Sequence, residues 1–206
     1  MQLGQVQQAA VACFARQGYT ATGIRELGAA VGLNSATLYH YVGGKQELLL
    51  GIIRDCLSAM LDGARNAISR TQDPARQLAA LVAFHVSFTA VNPLTAQVAT
   101  GEMRALSDPA PMQALRDEYE ALFAAALADG ERAGIFTAPD PGLARLAIME
   151  MGTGVGRWYR ADGRLPLPEV QLHFIAMAMR ILGAPETPLS PHELPTAQRV
   201  ASEGER

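Results

Sequence analysis

The stretch GYTATGIRELGAAVGLNSATLYHYVGGKQELL, Gly18 to Leu49, contains two short helical patterns. Ile24, Leu27 and Val31 recur at helical spacing and form one apolar face. Thr22 precedes them, where a hydroxyl can accept from an orphan backbone N–H, and predicts an N-cap. Gly32 predicts the helix end, a position that favours a left-handed residue. Asn34 is placed to cap a second helix over Ser35 to Tyr41. Two helices joined by a tight glycine-containing turn make a helix-turn-helix, whose second helix can lie in the major groove of DNA.

The second helix has the composition such a role needs. Leu38 is its inward position, set to pack on Leu27 and Val31. The others are Ser35, Ala36, Thr37, Tyr39, His40 and Tyr41, where an ordinary surface helix would be richer in Glu and Arg. Small side chains allow close approach to base edges. Hydroxyls suit phosphate oxygens, and Thr can touch a thymine methyl. Gly43-Gly44 break the chain. Lys45, its only lysine, opens the next helix as a candidate phosphate clamp. The plainer alternative is a compact helical hairpin that binds no DNA.

The segment resembles the DNA-binding domain of TetR-family transcriptional regulators. Phe14, Gly18-Tyr19, Thr22, Thr37-Leu38-Tyr39, Lys45 and Glu47-Leu48-Leu49 carry the resemblance. Gly28 stands where that family usually has Ala, and Val42 where it usually has Phe. The resemblance implies double-stranded operator DNA as a partner. Its contacts would come from Thr22, Arg25, Asn34, Ser35, Ala36, Thr37, Tyr39, His40 and Lys45. Thr22, Tyr39 and Lys45 would meet phosphates, and Ser35, Ala36 and Thr37 would read bases.

The 206 residues are enough for one large or two small domains. Ala and Leu dominate and aromatic content is only 6%, so an all-α chain is expected. The net charge of −3 argues against a generally basic surface. Residues 1–56 nevertheless carry a small positive surplus, and the rest is acidic. That fits a dimer binding DNA through a few placed contacts. Cys13 and Cys56 make no disulfide framework and read as buried hydrophobes in a reducing cytoplasm. No signal peptide and no apolar run long enough for a bilayer is apparent, so no membrane partner is expected.

About nine helices are expected. Leu3–Gln17 comes first, with Val6, Ala10, Cys13 and Phe14 inward, and the helix-turn-helix follows. A long helix then starts at Lys45 and ends near Ser69. Asp73-Pro74 opens the next, which Asn92-Pro93 stops. Leu94–Leu106, Pro111–Arg132, Asp140-Pro141 to Tyr159 and Pro168–Leu182 complete the set. Residues 1–48 would be the DNA-binding domain and 49–183 a six-helix body for ligand and dimerisation. Residues 184–206, with Pro185, Pro188, Pro191 and Pro195 among polar residues, would be a mobile tail.

The second half, through RDEYEALFAAALADGERAGIF, a following Asp-Pro and RWYRADGRLP, is similar to the body of TetR regulators that respond to acyl-CoA thioesters. Those repress fatty-acid or steroid breakdown. The resemblance implies a small apolar effector, with an acyl-CoA as the candidate. Its site would draw on Phe84, His85, Phe88, Met103, Arg104, Tyr119, Phe123, Met149, Arg157 and Trp158. Taken singly, His85 reads as a hydrogen-bonded core or pocket-wall histidine, Trp158 as core or dimer interface, and the arginines as surface groups. Gly152, Gly154 and Gly156 cost about 1 kcal/mol each inside a helix, which suggests another helix close by. A homodimer packing the last two long helices as a four-helix bundle would supply it. His40, His85, His173 and His192 are scattered, and no metal-ligand spacing or catalytic motif exists. No cofactor, metal or enzyme activity is therefore expected. The competing possibility is a helical binding protein or enzyme that kept a vestigial DNA-binding head.

Overall fold

The computed structural model describes residues 3–185 and 191–202, and its regular elements are all helical. They are α1 (Leu3–Gln17), α2 (Ile24–Ala30), α3 (Ser35–Val42), α4 (Lys45–Ile68), α5 (Pro74–Val91), α6 (Pro93–Gly101), α7 (Ala110–Arg132), α8 (Pro141–Trp158) and α9 (Leu167–Ile181). The expected Leu94–Leu106 helix divides. After α6 the chain tightens into a 3-10 turn over Met103–Ala105.

Contacts group the described residues into two compact units. The first contains residues up to 59 together with 92–115 and 199–202. The second contains 60–91, 116–185 and 191–198. A single boundary after residue 48 is therefore too simple, because α6 packs with the head. Gln97 Nε2 donates to the Ala15 carbonyl, and the Tyr19 N–H donates to Glu102 Oε1.

In the first unit Val6, Ala10, Phe14, Leu27, Leu38, Leu49 and Ile52 form the core around α1 to α4. Gly18 ends α1 with φ of 84° and Gly32 follows α2 with φ of 70°. The Leu33 N–H reaches the Gly28 carbonyl at 2.8 Å and the Gly32 N–H reaches Ala29, the paired bonds of a Schellman end. Gly28 is required by that closure, because a Cβ there would lie 2.6 Å from the Leu33 carbonyl oxygen. Asn34 caps α3, its side chain accepting from the Thr37 N–H. Thr22 does not cap α2. Gly23 occupies that position, and the Thr22 hydroxyl turns back to donate to the Gly18 carbonyl.

In the second unit α5 is apolar on nearly every side and buried from Leu78 to Thr89, as a central helix must be. Asp73 caps it. Phe84 on one side lies so close to Gly63 of α4 that a Cβ there would overlap its ring. His85 faces α7 and α8, and the Ala83 carbonyl accepts from Gln171 of α9. Gly152 of α8 has the same kind of reason: a Cβ there would overlap the His85 ring. The close neighbour expected at Gly152 is thus within this chain rather than a second copy.

Residues 191–202, expected as a mobile tail, are instead engaged. In the second unit Glu193 pairs with Arg76, Leu194 is buried, the Pro195 carbonyl accepts from Gln171, and the Ala197 N–H donates to Ser87 Oγ. In the first unit the Val200 N–H donates to Asn92 Oδ1 and Gln8 Nε2 donates to the Ala201 carbonyl. Side chains on the helices supply partners that an extended, proline-rich backbone cannot give itself. The rest of the expected tail, residues 186–190 and 203–206, lies outside the described residues.

Gly28→Ala is expected to destabilise the protein by about 1–3 kcal/mol, although Ala is the better helix former, because the clashing atom is backbone. Urea unfolding of the two proteins measures this, and equal midpoints would contradict it.

Candidate nucleic-acid interface and candidate effector site

The helix-turn-helix presents α3 with Ala36, Tyr39 and His40 exposed, Ser35 and Thr37 half-exposed, and only Leu38 and Val42 buried. Arg25 on α2 is exposed, as is the capping residue Asn34. Tyr41, not among the expected contacts, is also exposed, and its ring meets His40 edge-on. Thr22 and Lys45 depart from expectation. Thr22 is 1% exposed and its hydroxyl is spent inside, accepting from Gln17 as well as donating to Gly18. Lys45 Nζ donates to the carbonyls of Tyr19 at 2.6 Å and Thr22 at 2.7 Å, and sits 4.1 Å from the Tyr19 ring centroid. An ammonium has three donors, so one N–H of Lys45 is left for a phosphate. Lys45 therefore ties the 19–22 turn to the start of α4 and so holds the helix-turn-helix in place.

The second unit gathers His85, Tyr119, Phe123 and Met149. His85 Nε2 lies 3.1 Å from the Met149 carbonyl oxygen and 3.1 Å from Thr153 Oγ1, and Nδ1 lies 2.8 Å from the Tyr119 hydroxyl. A carbonyl only accepts, so Nε2 carries the proton and Nδ1 accepts from Tyr119. The Phe123 ring stands edge-on to both the imidazole and the phenol. Phe84 and Phe88 are buried one turn apart on α5, ring centroids 6.0 Å from each other. This layer is aromatic and apolar, with His85, Tyr119 and Thr153 as the polar groups that fix its geometry.

Of the other expected site residues, Arg157 and Trp158 are not brought to this layer. Met103 and Arg104 belong to the first unit, Met103 buried and Arg104 exposed in the 3-10 turn. Arg157 and Trp158 end α8 on the outside, where Trp158 is 52% exposed and stacks on Phe174 of α9. A helix end turned to solvent carries them away from the core. The residues missed are Thr153 and the ionic group Arg116, Glu120 and Arg145. Glu120 Oε1 accepts from Arg116 Nε at 3.0 Å, and Oε2 accepts from Arg145 Nη1 at 2.6 Å. The four-residue spacing of Arg116 and Glu120 was a visible signal. The approach of Arg145 from α8 was not. Among the described residues no group of three or more His, Cys, Asp or Glu side chains is placed to hold a metal.

Burial, partly offset by the hydrogen bond to Met149, lowers the His85 imidazole from 6.5 to about 4. The unfolded chain thus takes up a proton at higher pH than the folded one. The neutral, folded form is favoured above about pH 6.5, and this contribution is lost as pH falls toward 4. The full loss is roughly 3 kcal/mol. Denaturant unfolding at pH 7 and pH 4.5 should show it, and His85→Gln should flatten the difference. An unchanged difference in the variant would show that other groups cause it.

Residues 7–52 match the model of bacterial regulatory proteins of the tetR family, and residues 71–182 match the tetracyclin repressor-like C-terminal domain. The HTH-type transcriptional repressor KstR2 of Mycobacterium tuberculosis is 26% identical over 182 residues, covering 85% of this chain and 90% of that protein. A tetR-family regulatory protein from Rhodococcus RHA1 superposes with a TM-score of 0.81 at 26% identity, over 90% of this chain and 99% of the other. The fold is shared also by AibR solved with isovaleryl coenzyme A and operator DNA, with a TM-score of 0.75 at 19% identity over 85% and 97% of the two chains. The relatives are regulators rather than enzymes. With an intact recognition helix and both family domains present, the chain belongs to the TetR family of DNA-binding transcriptional regulators.

Proposed function

We propose that the chain is a homodimeric repressor released from its operator by an acyl-CoA thioester. The observation that carries this is the combination, in one chain, of an accessible α3 with a buried aromatic layer hinged on the His85–Tyr119 hydrogen bond. AibR, solved with isovaleryl coenzyme A, supports the effector class, and KstR2, a ketosteroid transcriptional regulator, supports a largely apolar effector.

Dimerisation finds support in exposed large apolar side chains on α8 and α9. Leu143 and Leu146 of α8 are 63% and 50% exposed, and Trp158, Met177 and Ile181 add to the same two helices. Exposed apolar side chains of this size are candidates for an interface. A two-fold pairing of α8 and α9 would cover them. DNA recognition falls to α3: Ser35, Ala36 and Thr37 at its start read base edges, while Tyr39, His40, Arg25 and the remaining donor of Lys45 hold phosphates. An acyl chain entering the aromatic layer would displace the contacts that tie α5 to α7 and α8. The chain passes between the two units within α4 and within α7, so a strained body helix has a covalent route to the head. Release follows only if the effector binds one state better than the other. Membrane insertion has no support, since no single described helix is long and apolar enough to cross a bilayer.

Titration of DNA from upstream of its own gene tests the repressor reading. Lys45→Ala should weaken binding to all sequences, lower the log–log salt slope by about one, and also lower the unfolding midpoint. Unchanged salt dependence would remove Lys45 from the interface. Thr37→Ala should instead change the sequences recovered from a randomised-site selection.

For the effector, calorimetry with a series of acyl-CoA thioesters should show affinity rising by up to ~0.8 kcal/mol per methylene until the layer is filled. Free CoA should bind poorly. Failure of every thioester to bind or to release DNA would refute the effector while leaving the regulator standing.

A further inference from the structure

The ionic group on α7 and α8 carries more positive charge than its one carboxylate neutralises. Arg116 and Arg145 share the single carboxylate of Glu120. Glu118 next to it is spent on Arg65. Burial alone would raise the Glu120 carboxyl, but the hydrogen bonds from Arg145 and Arg116 outweigh it and hold it below its ordinary value, so it stays ionised. The Arg145 and Glu120 side chains are only 22% and 24% exposed, so the surplus charge is poorly screened compared with a surface pair.

Arg145 is also incompletely used. Its Nη1 contacts Glu120 Oε2 and, at 3.7 Å, the sulfur of Met149. Among the described residues its Nε and Nη2 have no acceptor, although a guanidinium offers five donors in a planar fork. Its position relative to the aromatic layer follows from two neighbours. Met149 accepts from His85 through its carbonyl while its sulfur touches Arg145. Tyr119, which donates to His85, is adjacent in α7 to Glu120, which holds Arg145. The guanidinium therefore stands at the edge of the layer formed by His85, Tyr119 and Phe123.

We propose that Arg145, seconded by Arg116, is the anion anchor of the effector: it binds a carboxylate or phosphate attached to an apolar body that lies on the His85–Tyr119–Phe123 layer. The complement to a planar fork with spare donors and one surplus charge is an anion with two or more acceptor oxygens. The complement to the aromatic layer is a hydrocarbon. The effector is thus an amphipathic anion, and a neutral amphiphile of equal length binds less well. This rests on the second unit being an effector domain. It assigns the anion to Arg145, where the sequence reading named Arg104 and Arg157 among the site residues. Glu120 acts as a built-in competitor that keeps the fork oriented when no effector is bound.

Calorimetric titration of the full chain with decanoate, decyl phosphate, decanoyl-CoA and neutral decanol tests the proposal, using wild type, Arg145→Gln and Glu120→Gln. Wild type should bind at least one decyl anion about tenfold or more tighter than decanol, as a charge-assisted contact provides. Arg145→Gln should lose that advantage and leave decanol within about twofold. Glu120→Gln should bind the anions tighter, because it removes the competitor and frees both guanidiniums. The opposite signs of the two substitutions separate an anchor from a structural ion pair, whose loss from either side would weaken all ligands alike. If Arg145→Gln does not fold, Glu120→Gln still carries the test.

Decanoate and decyl phosphate together report which anion the fork prefers. Tight binding of decanoate places a free carboxylate there. Tight binding confined to decyl phosphate and decanoyl-CoA places a phosphate of the carrier there. Anions no tighter than decanol, an equal loss of all ligands in Arg145→Gln, weaker anion binding in Glu120→Gln, or no binding of any decyl compound would overturn the proposal. Operator release measured in parallel keeps the two readings apart. Release of wild type and Arg145→Gln at the same decanoyl-CoA concentration overturns the anchor alone. Tight, Arg145-dependent anion binding without release overturns the acyl-CoA switch alone.

Discussion

The second unit depends on the burial of α5 from Leu78 to Thr89. A helix with neighbours on every side gains the hydrophobic free energy of its whole surface, but every polar group it carries must then find a partner within the protein. His85 is the test of that constraint. An imidazole at the centre of a helical core, left unpaired, would cost about 1–3 kcal/mol. It is accommodated by a phenol from α7, a carbonyl from α8 and the absence of a side chain at Gly152. Thr89 extends the same seam one turn on, its hydroxyl 3.0 Å from the Gly152 carbonyl. The glycine, the histidine and the tyrosine therefore form one device, and each makes sense only with the other two.

A different constraint governs the head. Its helices are short, and short helices have little stability of their own. Their ends are fixed by backbone geometry instead: positive φ at Gly18, Gly32 and Gly43, the Asn34 cap, and Lys45 gripping two carbonyls of the preceding turn. Those devices hold α3 rigid while leaving its outer face without internal obligations. Rigid presentation of small and hydroxyl-bearing side chains is what a groove reader needs, since loose side chains would lose entropy on binding.

The polar groups of the second unit divide by depth. At the centre, neutral His85 is fully satisfied by neutral partners. At the edge, charged groups share too few counter-charges, and several large apolar side chains of α8 and α9, Leu143, Leu146, Trp158, Met177 and Ile181, are exposed. A neutral, satisfied centre contributes to stability, and the incompletely satisfied edge is where the proposed anion would bind.

The sequence alone determined most of the helices and their ends, because capping and left-handed glycines act over four or five residues. Asp73-Pro74, Asp140-Pro141, Asn34, Gly32, Gly134 and Gly183 mark boundaries that the structure keeps. The helix-turn-helix and its family were legible for the same reason: its decisive residues lie within one short span. Tertiary structure alone decided what depends on residues distant in the chain. Thr22 was free to turn away from α2 because the Gly18 carbonyl offered its hydroxyl a partner. Gly152 makes room for a ring sixty-seven positions earlier, and Arg145 meets a carboxylate on another helix. The proline-rich segment at 191–202 is held by Gln171, Ser87 and Asn92, side chains that its composition could not announce. Local backbone chemistry has a short range and is written in adjacent letters. Packing pairs letters far apart, and only the folded chain brings them together.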